Sequence, residues 1–341
     1  MLSSPQWKLH WSFAATGYVD WCNFDLARPN FCSDSLKAMD TPWPQLTLED
    51  WQDTYVTLHM WTQIVGKIRL VQTPWINHSW HVPLYLTTQG LTTSTIPYGD
   101  RIFQIDFDFL HHRLLLTTAA GASQTVELRP RSVADFYRAV MAALQVLELD
   151  IHINTRPNEI PEPIPFEQDE THTSYDGKAV QRFWQVLLQS DRVFKEFRSH
   201  FCGKVSPVHF FWGSFDLAVT RFSGRSAPEH PGGVPNLPDA VAKEAYNQEV
   251  SSAGFWPGAG LGYPAFYSYT YPTPEGFKDA PVQPEAAFFH QELGEFVLPY
   301  EAVRTADDPD QALLLYLQST YDAAADSAQW DKDTLRQTWF K

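Results

Sequence analysis

The run Pro207-Val208-His209-Phe210-Phe211-Trp212-Gly213-Ser214-Phe215-Asp216 puts an imidazole, an indole, three phenyl rings and a carboxylate into one short segment. A wall of that composition suits a ligand, because rings give apolar contact and an ionisable group taken out of water acquires a shifted pKa. His209 is the candidate general acid or base, tuned by the rings around it, with a hydrogen-bonded core histidine as the competing reading. Asp216 is its candidate catalytic partner. Seven residues apart, the two fall on opposite faces of an unbroken strand, so a bulge or turn at Gly213 must intervene before they can meet. Strand alternation also separates His209 and Phe211 from Phe210 and Trp212.

His78-Ser79-Trp80-His81 spaces two imidazoles three apart, which suits a metal on a helical turn or tight loop but not on a strand, where they would diverge. The metal reading needs a third ligand from far along the chain, such as His209, His230, His290 or Glu249. The competing reading makes both histidines polar flanks of Trp80. Arg221 and Arg225, in a glycine-bearing stretch with Glu229 and His230, can clamp a carboxylate or phosphate, or can pair with surface acids. Gly258-Ala259-Gly260-Leu261-Gly262 lacks the preceding strand and following helix start of a nucleotide loop, since Pro257 precedes it and Tyr263-Pro264 follows. Ser251 and Ser252 lack a nucleophile elbow, and Cys202 beside Phe201 reads as an inert thiol. No cofactor is assigned.

These groups must be positioned by helices and antiparallel strands. Thr47, with Asp50 three residues on, is expected to cap a long helix whose stripe is Trp51, Tyr55, Leu58, Trp61, Val65 and Ile68, ending before Pro74. Strands are expected at 82–88, 101–109, 113–118 and 124–128; Phe103, Ile105, Phe107 and Phe109 alternate with polar residues, as on a half-exposed sheet. Ser132 and Asp135 open a second helix, and 151–153 reads as a returning strand. Asn154 to Tyr175 holds Pro157, Pro161, Pro163 and Pro165 among acids, the composition of an extended, solvated strap. Asp176 caps the next long helix. Strands then follow within 207–222, a Pro- and Gly-rich loop at 223–238, a helix at 239–250, a glycine loop at 251–263, strands at 265–271, 286–290 and 295–298, and two terminal helices, the first opened by Asp308-Pro309.

The domain reading is an N-terminal extension (1–46), a helix-plus-sheet half (47–153), the strap (154–175) and a second α+β half (176–341). Strand runs come in groups rather than alternating with helices, so the expected class is α+β, with antiparallel sheets covered on one face by long amphipathic helices. The order of helix, proline and strand near a histidine recurs, which raises two similar halves as an arrangement.

The chain has 341 residues, 44% of them apolar and 15% aromatic, enough to bury a large core. Forty acids against 25 bases give a formal charge of −15, a field that repels nucleic-acid backbones and anionic membranes, so neither is an expected partner. Cys22, Cys32 and Cys202 form neither a disulfide framework nor a zinc ribbon, which suits the cytoplasm. No export signal or membrane anchor is expected.

Leu58-His59-Met60-Trp61-Thr62-Gln63-Ile64-Val65-Gly66-Lys67, Gly90-Leu91-Thr92-Thr93-Ser94 with Pro97-Tyr98-Gly99-Asp100, and Pro207 to Arg221 resemble an uncharacterised bacterial family known only as a domain of unknown function. The resemblance runs from about Trp43 to the last helix and implies no activity, cofactor or catalytic residue. Two functional readings therefore stand on the residues alone. The first is a small-molecule enzyme or binding protein, its pocket lined by Trp61, Trp80, Phe211, Trp212 and Trp256, with His209, His81, Arg221 and Arg225 as polar anchors. The second is a non-catalytic interaction or scaffold protein with an exposed aromatic patch or a homodimer interface. Burial discriminates them: a concave pocket reached by His209 favours the first, a flat exposed patch of Trp and Tyr the second.

Overall fold

Helix starts come from the side chains that the sequence nominates. In the computed structural model, which describes residues 42–337, Ser132 Oγ accepts from Asp135 N (3.1 Å) to open α2 (Val133–Val146). Asp176 Oδ1 accepts from Lys178 N and Ala179 N (2.8 and 3.3 Å) to open α3 (Gly177–Ser199). Asp308 Oδ1 accepts from Gln311 N (3.0 Å) to open α6 (Pro309–Ser327). Thr47 stands at the N-cap of α1 (Leu48–Gln72), yet its hydroxyl makes no cap bond; its carbonyl accepts from Asp50 N instead. Shorter helices are α4 (Asp239–Ala245), α5 (Tyr300–Arg304) and α7 (Lys332–Leu335).

The class is α+β, with two antiparallel sheets. The first is a five-stranded meander: β1 (Tyr85–Leu86), β2 (Gly90–Tyr98), β3 (Arg101–Asp108), β4 (Arg113–Thr118) and β5 (Ser123–Glu127). The second contains β6 (His209–Phe211), β7 (Asp216–Ser226), β8 (Gln248–Trp256), β9 (Ala265–Tyr271), β10 (Phe288–His290) and β11 (Glu295–Pro299), in the order β10-β11-β9-β8-β7-β6. Paired backbone bonds between Leu84 and Phe210, both 2.9 Å, join the sheets at one bridge. Helices α1 and α2 pack on the first sheet; α3 and α6 pack on the second.

Several expectations change for identifiable reasons. Helix α1 buries more than one apolar stripe: Thr57, His59, Thr62, Gln63, Lys67 and Arg69 are buried along with its apolar residues, because it contacts β2, α2 and α3. His59, Gln63, Lys67 and Arg69 bind backbone outside the helix, and Thr57 and Thr62 bond carbonyls of α1 itself. The expected strand at 82–88 shrinks to β1, and 151–153 is irregular chain. Strand β2 was not expected, since Pro97 and a Thr/Ser run hide its period; its register breaks between Thr92 and Thr95, and Ser94 sits at φ 56°. The helix at 239–250 stops at Ala245, and the first part of the expected 251–263 loop is instead central strand β8. The strap is packed rather than solvated at Phe166, which is fully buried, and at Asp169, which binds His172 Nδ1 at 2.7 Å.

Ahead of α1 the chain is already part of the core. Trp43 is buried against Phe266 and Tyr300, and Tyr300 Oη donates to Pro44 O at 2.6 Å. The rest of the expected N-terminal extension lies outside the described residues. Among the described residues, no helix is long and apolar enough to cross a membrane.

Candidate functional site

The turn at Gly213 exists and makes a hairpin. β6 ends at Phe211, Phe215 N returns to Phe211 O (2.8 Å), and β7 begins at Asp216, with Phe211 opposite Asp216 and His209 opposite Ala218. Residues directly opposite in an antiparallel pair share a face. His209, Phe211 and Asp216 are therefore on one side of the sheet. Gly213 does this without a left-handed backbone; Phe215 carries the positive φ (59°). What Gly213 supplies is space, because a Cβ there would lie 2.0 Å from Glu159 Oε1.

That face of the second sheet, turned away from α3 and α6, floors a cavity of about 650 Å³. Cross-strand register extends the floor from Ala218 through Gly254 to Tyr267, and from Thr220 through Ser252 to Tyr269. Small residues of β7 and β8 leave the room; the tyrosines of β9 rise beside them. The walls come from Lys67 and Leu70 of α1, the segment around Trp75 and Trp80, the strap at Asn154–Glu159, and α4 with the loop before it.

Carboxyl groups concentrate at one end. Asp216 is buried and accepts from Ser214 Oγ (2.6 Å) and from Tyr267 Oη. Burial raises its pKa above the usual carboxylate range, against the opposing pull of those two hydroxyls. Glu159 is pushed up to about 7, chiefly by burial and further by the charge of Asp216. Glu295, two residues before the Val297 that pairs with Tyr267, is pushed up to about 7 for the same two reasons. Tyr246 and Tyr269 share a hydroxyl–hydroxyl bond of 2.8 Å beside them. Coupled carboxyls in a dry site can keep one proton among them near neutrality, the condition for acid–base exchange with a bound molecule.

Helix α1 holds both walls with side chains spaced four apart on one face. His59 Nε2 meets Gly213 O at 2.8 Å. Gln63 clasps the Asn158 backbone, accepting from its N at 2.8 Å and donating to its O at 2.9 Å. Lys67 Nζ donates to Arg156 O at 2.7 Å. Gly66, between them, lets Trp212 lie against the helix and donate to Val82 O (2.9 Å); a Cβ at Gly66 would sit 2.3 Å from the indole. Alanine is the better helix former by roughly 1 kcal/mol. Gly66→Ala is nevertheless expected to lower stability by about 1–3 kcal/mol through overpacking. A thermal melt with a lowered Tm supports this, and a raised Tm refutes it.

The structure gathers some sequence candidates and scatters others. His209, Asp216, Trp80, Trp212 and Phe211 line the cavity. His209 is 1% exposed, touches the rings of Trp80, Tyr85 and Phe211, and has no protein partner at either ring nitrogen. Burial, then the charges of Arg69 and Arg198, hold its pKa down at about 3, so it is a neutral imidazole at physiological pH. Trp61 is instead stacked on Phe136 in the core, 4.4 Å between centroids. Trp256 lies outside the cavity lining.

Arg221 and Arg225 do not form a clamp. Arg221 is on the helix-facing side, buried over Phe197 and Tyr321 and bonded to Phe197 O, while Arg225 pairs with Glu249 at 2.7 Å. The two histidines of 78–81 diverge as well. His78, which lines the cavity, has Ala245 O (3.0 Å) at Nδ1 and the Lys204 ammonium (2.5 Å) at Nε2; His81 Nδ1 turns to Ile76 N at 3.2 Å. No group of three or more His, Cys, Asp or Glu able to hold a metal occurs among the described residues.

Glu159, Ser214, Tyr246, Tyr267 and Tyr269 escaped the sequence reading. Two signals pointed to them: the alternating tyrosines of Ala265–Tyr271, and the polar series His59, Gln63, Lys67 inside an apolar helix. Comparison with known proteins gives one match, the model of a Family of unknown function (DUF5996), over residues 43–337. No curated protein and no solved structure matches the chain.

Proposed function

We propose that this chain, which belongs to the Family of unknown function (DUF5996), is a small-molecule-binding protein whose ligand occupies the cavity above the second sheet, with Asp216 and Glu159 as its acid–base pair. The observation that carries the reading is a carboxyl pair, buried Asp216 and half-buried Glu159, both with raised pKa, lining an aromatic cavity of about 650 Å³, within the size range of small-molecule sites. Retaining an ionisable pair in such a place costs stability, which argues for use rather than packing. His209 contributes as a neutral hydrogen-bonding group, not as the proton carrier. The acidic charge and the cysteine usage support a cytoplasmic location without nucleic-acid or membrane partners.

An interaction surface is the second reading, favoured by exposed Val71, Trp75 and Ile76 at the end of α1. One experiment separates the two. Ala218, at the centre of the floor, is replaced by Phe to fill the cavity. Parent and variant are then melted with a diverse library of small aromatic compounds. A subset of compounds is expected to raise the Tm of the parent and none that of Ala218→Phe; no shift in the parent overturns the cavity reading.

A further inference from the structure

Resting on that cavity reading, we propose that the ligand is an organic cation: an aromatic or cyclic amine in its protonated form, its nitrogen held at Asp216 and Glu159 and a second polar group meeting His209. Asp216 and Glu159 line the cavity, Glu295 lies near enough for the charge of Asp216 to raise its pKa, and among the described residues none of the three has an ion-pair partner. Lys67 and Arg156 also line the cavity, but they hydrogen-bond elsewhere, Lys67 to Arg156 O and Arg156 Nε to Asn236 Oδ1, and Lys204 lies between His78 and Gln248; none of the three forms an ion pair with these carboxyls. The acidic end therefore has no direct ion-pair partner among the described residues, a place that a bound cation can take.

His209 gives the second, independent sign of a ligand, since a fully buried imidazole with a donor and an acceptor both unpaired calls for a polar partner from the cavity it lines. The register fixes the spacing. His209 is opposite Ala218, two residues beyond Asp216, so the two polar ends are about 7 Å apart along the strand, roughly one ring's length. Phe211, Trp80 and Trp212 line the same cavity, and aromatic rings attract a cation as well as an apolar group. A carboxylate or phosphate ligand would meet like charge at Asp216 and Glu159.

The probes are tryptamine, its neutral isostere tryptophol and the anionic indole-3-propionate, titrated calorimetrically into the full chain at about pH 8, where Glu159 is ionised. Tryptamine is expected to bind roughly tenfold or more tighter than either analogue. Asp216→Asn and, as a second variant, Glu159→Gln are each expected to erase that preference while tryptophol binding stays unchanged. Equal or tighter binding of tryptophol or indole-3-propionate, lost in Ala218→Phe, overturns the cation assignment and leaves the cavity reading standing. Binding of none of the three overturns both.

Discussion

Arg69→Met is expected to lower the stability of the fold by about 3–5 kcal/mol, at about 1–3 kcal/mol for each buried carbonyl that loses its donor. Arg69 is 7% exposed and reaches out of α1 to three backbone carbonyls: Nε donates to His81 O at 2.8 Å, and Nη1 donates to Pro83 O at 2.5 Å and to Thr93 O. Those carbonyls belong to the chain entering β1 and to the break in β2, where no ladder bond is available to replace the guanidinium. Methionine keeps much of the stem's volume but takes the guanidinium donors from Pro83 O and Thr93 O and leaves His81 O with only the Thr73 hydroxyl, 3.2 Å away. The tilted face of Tyr85, 5.3 Å away, loses its cation as well. Lysine is expected to recover only part of the loss, because a single ammonium cannot span three divergent carbonyls. Urea unfolding at fixed pH measures this as a fall in the midpoint with an unchanged slope. A loss below about 1 kcal/mol for Arg69→Met would show that the loop relaxes to let water in, and would remove Arg69 as the tie between α1 and this wall.

The elements that surround the cavity were legible wherever side-chain volume carries the signal. Ala265–Tyr271 and the caps at Ser132 and Asp176 declare themselves through periodicity and hydroxyl or carboxylate chemistry. Strand β8 does not, for a reason tied to the site. Gly254 and Ser252 are small where Tyr267 and Tyr269 stand over them, Ser251 and Ala253 are small on the opposite face, and a strand built from small residues looks like a loop. Glu159 was hidden differently. The Pro- and acid-rich composition of 154–175 is that of a solvated linker, and its burial comes from Gln63, 95 residues away in sequence from Asn158. Local composition cannot carry a contact of that range.

Parity shows what one misjudged residue propagates. Once Asp216 is fixed opposite Phe211, alternation sends Ala218, Thr220 and Phe222 to the cavity and Arg221 to the helices. The arginine clamp fails at that step. Arg221 is thereby carried into the core, where Phe197 O and the rings of Phe197 and Tyr321 receive its guanidinium, with Nε left unpartnered.

Glu159→Gln is expected to stabilise the protein at alkaline pH relative to its effect in acid, with a swing on the order of 2–3 kcal/mol between about pH 4.5 and pH 8. The direction follows from proton counting. Glu159 titrates at about 7 when folded and near its ordinary 4.5 when unfolded, so within that window the folded state holds more proton and stability falls as pH rises. Above the window the parent carries a charge on Glu159 within the cavity, and glutamine removes that charge with little change of shape. The parent's own pH curve conceals the effect. His59 and His209, held down at about 4 and about 3, bind protons more readily unfolded, so they withdraw stability as pH falls below 6.5 while Glu159 and Glu295 restore it. Subtracting the parent curve from the variant curve cancels the histidines and isolates the carboxyl. Part of the shift belongs to the charge of Asp216, so Asp216→Asn in the same background is expected to shrink the swing rather than add to it. Paired urea titrations across the range supply the measurement. A flat difference curve would mean that Glu159 titrates as a solvated carboxylate, and the acid–base pair would lose its second member.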